Sequence, residues 1–277
     1  MNARLVKPLA VLRTAALTPA RLAYGAWALL AFSAVSLSVL LALAVLPGVT
    51  RRRAAARAGA RTFLRLAGMP LTVRYAQRLP AGQCVVVCNH ASYLDGIVLT
   101  AALPARFGFV IKREMAAIPL AGALLKRLGS EFVERRDRRR SAADARRVLR
   151  NAVQGHSLVF FPEGTFTRTP GLLKFHTGAF TTAQRAACPL VPAVVRGTRR
   201  ALKPGGALPL PGPIDVKILP PLMPASLAAR DQAAPELRDR ARAAILAELG
   251  EPDLTYCDDT GRRPGKARAR SARASRP

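Results

Sequence analysis

His90 and Asp95 lie five positions apart in the stretch Asn89-His-Ala-Ser-Tyr-Leu-Asp-Gly96. A histidine beside a carboxylate can act as a general base. The imidazole takes a proton from a hydroxyl, while the carboxylate fixes its tautomer and stabilises the imidazolium that forms. Such a pair needs no serine or cysteine nucleophile if the substrate brings the hydroxyl, which then attacks an activated carbonyl. The spacing alone does not bring the two side chains together. On a regular helix they would stand about 140° apart, and on a strand they would lie on opposite faces. The chain must bend between them. Cys84-Val-Val-Val-Cys88 reads as a strand buried on both faces, and an apolar helix is expected over 97–102, after Gly96. His90 then falls at a strand end and Asp95 near a helix start, where α/β sheets hold their ligands. Taken alone, a histidine and an aspartate in a turn can also bond one another for purely structural reasons.

Other chemistries find less support. There is no G-x-S-x-G elbow, no P-loop and no dinucleotide glycine pattern. The three histidines, His90, His156 and His176, are scattered singly, so no zinc-ligand spacing forms with Cys84, Cys88, Cys188 or Cys257. Four cysteines in a chain of 277 residues do not suggest a disulfide framework and read as free thiols. Cys88 sits two residues before His90 on a buried strand, a poor setting for a nucleophile.

The elements that would position the pair alternate. Strands are expected at 71–75, 84–88, 107–114, 131–136, 157–161, 190–195 and 214–219. Helices are expected at 119–128, 141–153, 178–187 and 235–249, the second of these opening at Ser141 with Asp144 as its capping-box partner. Alternation of this kind implies an α/β domain, with a mostly parallel central sheet flanked by helices, over about 70–250.

Two segments precede that domain. Leu22 to Thr50 holds no charged residue, and 24–46 is almost wholly apolar. As a helix this run is about 34 Å long, enough for a hydrocarbon core of about 30 Å and too long for a signal peptide. A membrane anchor within residues 1–50 is expected, either crossing the bilayer or entering one leaflet as a helical hairpin. Residues 51–69 read as a basic amphipathic helix on an anionic membrane surface, with Phe63, Leu64 and Leu66 opposed to Arg57, Arg61 and Arg65. Basic residues are more numerous after the apolar run than before it, which places the main domain on the cytoplasmic side of the inner membrane. Residues 251–277 are expected to form a disordered basic tail. The net charge of +28 calls for anionic partners: an anionic membrane, acidic substrates or nucleic acid. Aromatic residues make up only 5% of the chain, and no helix-turn-helix or zinc-finger pattern occurs, so a specific nucleic-acid partner is not expected. A membrane-tethered protein that merely holds anionic lipid or nucleic acid is the rival class.

Four segments in order resemble the glycerolipid acyltransferases, the family of lysophosphatidate and glycerol-3-phosphate acyltransferases. They are Asn89-His90 with Asp95, Gly129-Ser-Glu-Phe132-Val-Glu-Arg135, Phe161-Pro-Glu163-Gly164-Thr165 and Val191-Pro192-Ala-Val-Val195. The resemblance implies acyl transfer from an acyl thioester, acyl-CoA or acyl carrier protein, to the sn-2 hydroxyl of lysophosphatidate, without a metal or other cofactor. It gives His90 as base and Asp95 as its partner, with Arg135 on the acceptor's phosphate. Glu163, Gly164 and Thr165 would shape the acceptor site. Two departures bear on the head group. Phe166 stands where the family often has arginine, for which Arg168 is a substitute, and Lys174 is displaced from the family's usual place. These leave open another acceptor, such as an amino-acid-containing lysolipid. His176 is a further candidate for head-group contact.

Overall fold

The computed structural model describes residues 7–118, 121–134, 137–206, 208–224 and 233–255. Seven strands form one sheet: β1 (Leu71–Arg74), β2 (Val85–Cys88), β3 (Gly108–Lys112), β4 (Glu131–Val133), β5 (Leu158–Phe160), β6 (Leu190–Arg196) and β7 (Ile214–Ile218). Their order is β1-β7-β6-β2-β5-β3-β4, and every neighbouring pair is parallel except β6 with β7. The helices are α1 (Lys7–Val45), α2 (Val49–Leu66), α3 (Asp95–Ala102), α4 (Ala121–Arg127), α5 (Arg138–Val153), α6 (Gly178–Arg185), α7 (Thr198–Ala201) and α8 (Ala233–Leu249). A mostly parallel sheet flanked by helices is the expected architecture.

β2 is central and wholly buried, and its alternating side chains join two cores. Val86 and Cys88 pack with Phe63 and Leu64 of α2 and with Val98 and Leu99 of α3. Val85 and Val87 pack on the opposite face with Phe180 of α6 and with Leu237, Ala241 and Ile245 of α8. A run of β-branched residues can serve both layers because successive side chains point to opposite faces.

α1 and α2 form an antiparallel hairpin. Tyr24 Oη donates to Ala67 O at 2.6 Å, Trp27 Nε1 donates to Leu66 O at 2.9 Å, and the Phe32 and Phe63 rings meet edge to face at 5.4 Å. Gly59 permits the close approach, since a Cβ there would lie 2.3 Å from Val39 Cγ2. The segment Pro19–Val45 is long and apolar enough to cross a membrane, and Leu30, Leu37, Leu41 and Val45 are exposed along it. α2 is less free than a helix lying on a surface would be, because it packs against both α1 and α3.

Two expectations are corrected. α5 begins at Arg138, not Ser141, and its cap is Asp137, whose carboxylate accepts Arg139 N at 2.8 Å and Arg140 N at 3.1 Å. The run of arginines carries no apolar period, so it hid the helix start. Asp144 is buried instead, where it accepts Glu134 N and the guanidinium groups of Arg113 and Arg147. The expected tail boundary at 251 is also displaced. Asp253 bridges Leu172 in strand-like pairing, so residues 251–255 belong to the folded body. Residues 256–277, Cys257 among them, lie outside the described residues.

Candidate active site

The carboxyl ends of β2, β5, β3 and β6 converge on one edge of the sheet. β2 ends at Cys88, and Asn89 locks its end to β6. The buried carboxamide donates from Nδ2 to Val195 O at 3.0 Å and accepts Val195 N on Oδ1 at 2.8 Å. The chain then turns. Ser92 Oγ accepts Leu94 N at 3.2 Å and donates to Leu202 O at 2.8 Å, and Asp95 opens α3.

This turn brings His90 Nδ1 to 2.8 Å from Asp95 Oδ2. The same oxygen accepts Ala91 N at 2.6 Å and Ser92 N at 2.9 Å. Asp95 is fully buried, and its Oδ1 has no hydrogen-bond partner among the described residues. Three donors on one oxygen fix the carboxylate, and the carboxylate fixes the imidazole. Nδ1–H faces Asp95, which leaves Nε2 as the basic nitrogen. Phe161 stacks on the imidazole at 4.2 Å between centroids, and Phe166 meets its edge at 4.5 Å. Tyr93 packs against Phe166 and is 64% exposed, so the aromatic group reaches the surface.

Glu163 is buried and does not line the cavity onto which His90 opens. Its Oε1 accepts His90 N at 2.6 Å and its Oε2 accepts Leu173 N at 2.9 Å, so it pins the backbone of the catalytic turn to the loop after β5. Burial pushes its carboxyl up to about 8, against the pull of those two N–H groups, with the charge of Asp95 adding to the rise and Arg199 opposing it. Cys88 is buried, and burial holds its thiol well above the ordinary range, with Asp95 and Glu163 adding to the effect, so it is no nucleophile.

His90 opens onto a cavity of about 610 Å³ between the sheet edge and the helical hairpin. Its wall is chiefly apolar, with Phe32, Val35 and Val39 from α1, Phe63 from α2, and Leu124 and Leu125 from α4. Its only formally charged side chains among the described residues are Arg53 and Lys112. Arg53 is engaged, donating to the carbonyls of Arg106, Leu128 and Gly129. Lys112 ends β3, is half-buried and has no carboxylate partner among the described residues.

The structure therefore brings together His90, Asp95, Gly164 and Thr165, the last two in the cavity wall. Glu163 is beside them but turned inward. Arg168 is exposed and does not line the cavity; its guanidinium lies against Gly205, where a Cβ would come within 2.6 Å. His176 is likewise exposed and outside the cavity wall. Arg135 lies outside the described residues. Lys112 was not legible as a cavity residue. Lys112 carried one signal, a lysine closing an apolar strand in a parallel sheet.

Residues 70–196 match the family model described as Acyltransferase. The human 1-acyl-sn-glycerol-3-phosphate acyltransferase alpha is 31% identical over 192 residues, 67% of this chain and 66% of that protein. A lyso-ornithine lipid O-acyltransferase of Pseudomonas aeruginosa is 32% identical over 154 residues, 54% of this chain and 57% of that protein. The crystal structure of the 1-acyl-sn-glycerophosphate (LPA) acyltransferase PlsC from Thermotoga maritima has the same fold, with a TM-score of 0.69 at 18% identity over 83% of this chain and 96% of that one. The chain belongs to the glycerolipid acyltransferase family. It spans about half the length of several of the curated relatives it matches.

Proposed function

We propose that this protein transfers a fatty acyl group from an acyl thioester, acyl-CoA or acyl carrier protein, to the sn-2 hydroxyl of lysophosphatidate. The observation that carries this reading is the Asp95-held imidazole at the edge of a chiefly apolar cavity of about 610 Å³. That volume lies within the range of sites that bury a ligand, about 300–1,000 Å³. The acyl chain of the donor occupies the cavity, with its thioester carbonyl beside His90. The acceptor hydroxyl gives its proton to Nε2 as its oxygen attacks the carbonyl carbon. The carbon–sulfur bond then breaks, and the imidazolium returns that proton to the departing thiolate. The residues supply this chemistry without a metal or other cofactor. Lys112 meets the acceptor's phosphate as a point charge.

The acceptor reaches the site from the membrane. α2 runs antiparallel beside α1 over almost the whole apolar segment, so α1 cannot cross the bilayer without drawing α2 and its arginines into hydrocarbon. This packing supports a hairpin seated in one leaflet, and the excess of basic residues after the apolar run supports the cytoplasmic face of the inner membrane. The basic surface draws both the anionic membrane and the polyanionic donor.

A second acceptor is favoured by one observation. Phe166, where the family often has arginine, packs on His90, so an apolar ring faces the acceptor there. A lysolipid whose head group contains an amino acid would tolerate that ring. His90→Ala in the detergent-solubilised protein should abolish transfer to every acceptor, and near-normal turnover would remove His90 as the base. Mass spectrometry of products from mixed lysolipids and one acyl thioester separates the two acceptors.

A further inference from the structure

The loop between β5 and α6, residues 161–177, carries Glu163, Thr165 and Phe166, yet among the described residues its only ladder contact is one bridge at Leu172. Loops of this length without regular structure are uncommon in compact domains and need something to hold them. Here the holder is the segment 251–255 that follows α8. Leu172 N donates to Pro252 O and Leu254 N donates to Leu172 O, both at 2.9 Å. Glu251 Oε2 accepts Gly171 N at 2.7 Å. Arg242, on α8, donates to Leu172 O at 2.8 Å and Leu173 O at 3.1 Å, and its guanidinium grips both oxygens of Asp253 at 2.9 and 2.6 Å. The fit is close. A Cβ on Gly171, whose φ is +142°, would lie 2.5 Å from the Leu254 side chain and 2.8 Å from Pro252 O.

The held loop connects directly to the base. Leu173 is gripped at its carbonyl by Arg242, and its N–H donates to Glu163, whose other oxygen accepts the N–H of His90. We propose that residues 251–255 form a strap that positions His90 for catalysis, acting through Arg242, Leu173 and Glu163. Arg242, Glu251 and Asp253 are positioning residues; none lines the cavity. The inference rests on His90 as the base, and it predicts an effect on turnover without one on donor binding, because the donor's cavity is walled chiefly by other elements.

The test uses the full chain in detergent, with steady-state kinetics across pH and a melting curve for each variant. Asp253 is half-exposed, so Asp253→Asn removes the charge with little risk to folding, and Glu251→Ala is the second variant. Both should lose about tenfold in kcat with an unchanged KM for the acyl thioester, as a small displacement of a base requires. The acidic limb of the kcat profile, which reports the base, should move with them, and Glu251→Gln, which keeps an acceptor for Gly171 N, should recover most of the loss. Asp239→Asn, which removes a pair between neighbours on α8, should leave kcat within about twofold. Parental kcat in both Asp253→Asn and Glu251→Ala would overturn the strap, as would losses matched by an equal fall in folded fraction. His90→Ala run alongside reports separately on the base: turnover in that variant overturns the base reading, whatever the strap variants do.

Discussion

His90 Nδ1 lies 2.8 Å from Asp95 Oδ2, and that oxygen also accepts the N–H groups of Ala91 and Ser92. The carboxylate therefore orients the imidazole and organises the turn that carries it. Asp95→Asn can keep the carbonyl oxygen in that place, so the turn and tautomer survive while the charge that stabilises the imidazolium is lost. The expected fall in kcat is about 10³-fold, with a near-parental melting temperature. Turnover within tenfold of the parent would remove Asp95 from the mechanism.

Lys112 and Arg53 are the formally charged side chains in the cavity wall, and Arg53 is committed to three carbonyls. Lys112→Met should raise KM for lysophosphatidate about tenfold, leave KM for the thioester unchanged, and weaken the salt dependence of acceptor binding. An unchanged acceptor KM would move the phosphate elsewhere.

Glu163 links stability to pH. Its folded-state value of about 8 lies above its ordinary 4.5, so the folded protein holds a proton that the unfolded chain releases. Its contribution is complete below about pH 4.5 and is lost as pH rises through about 8, so stability falls across that window. Glu163→Gln should flatten the slope in denaturant titrations at several pH values. It should also lower kcat, because an amide can accept only one of the two N–H groups that the carboxyl now holds. An identical slope in the variant would assign the pH dependence to other groups.

The hairpin of α1 and α2 predicts where its tip lies. In a Cys257→Ser background, Val49→Cys should resist an impermeant thiol reagent added to the far side of sealed vesicles. Cys84, Cys88 and Cys188 are buried and should not interfere. Labelling from the far side would show that α1 crosses the bilayer.

The strand-to-turn-to-helix reading around His90 and Asp95 was legible because it rests on local physics: a β-branched run, a polar break, and an apolar segment after a glycine. The same local logic located nearly every strand to within a few residues. It failed at α5, where Arg138-Arg-Arg carries no apolar period and the cap is a lone Asp137. It also failed at 251–255, read as the start of a disordered basic tail, where Asp253 is a clasp on Leu172.

By itself the sequence determined the fold class, the turn that pairs His90 with Asp95, and a long apolar segment near the N-terminus, since each is encoded in neighbours along the chain. The tertiary structure alone decided that Glu163 holds His90's backbone, that Arg168 lies outside the cavity wall, that Lys112 shares a cavity with His90, and that α1 is tied to α2 from Tyr24 onward. Those are distances between residues far apart in sequence, and no periodicity encodes them. They emerge only when the sheet order brings the ends of separate strands to one edge.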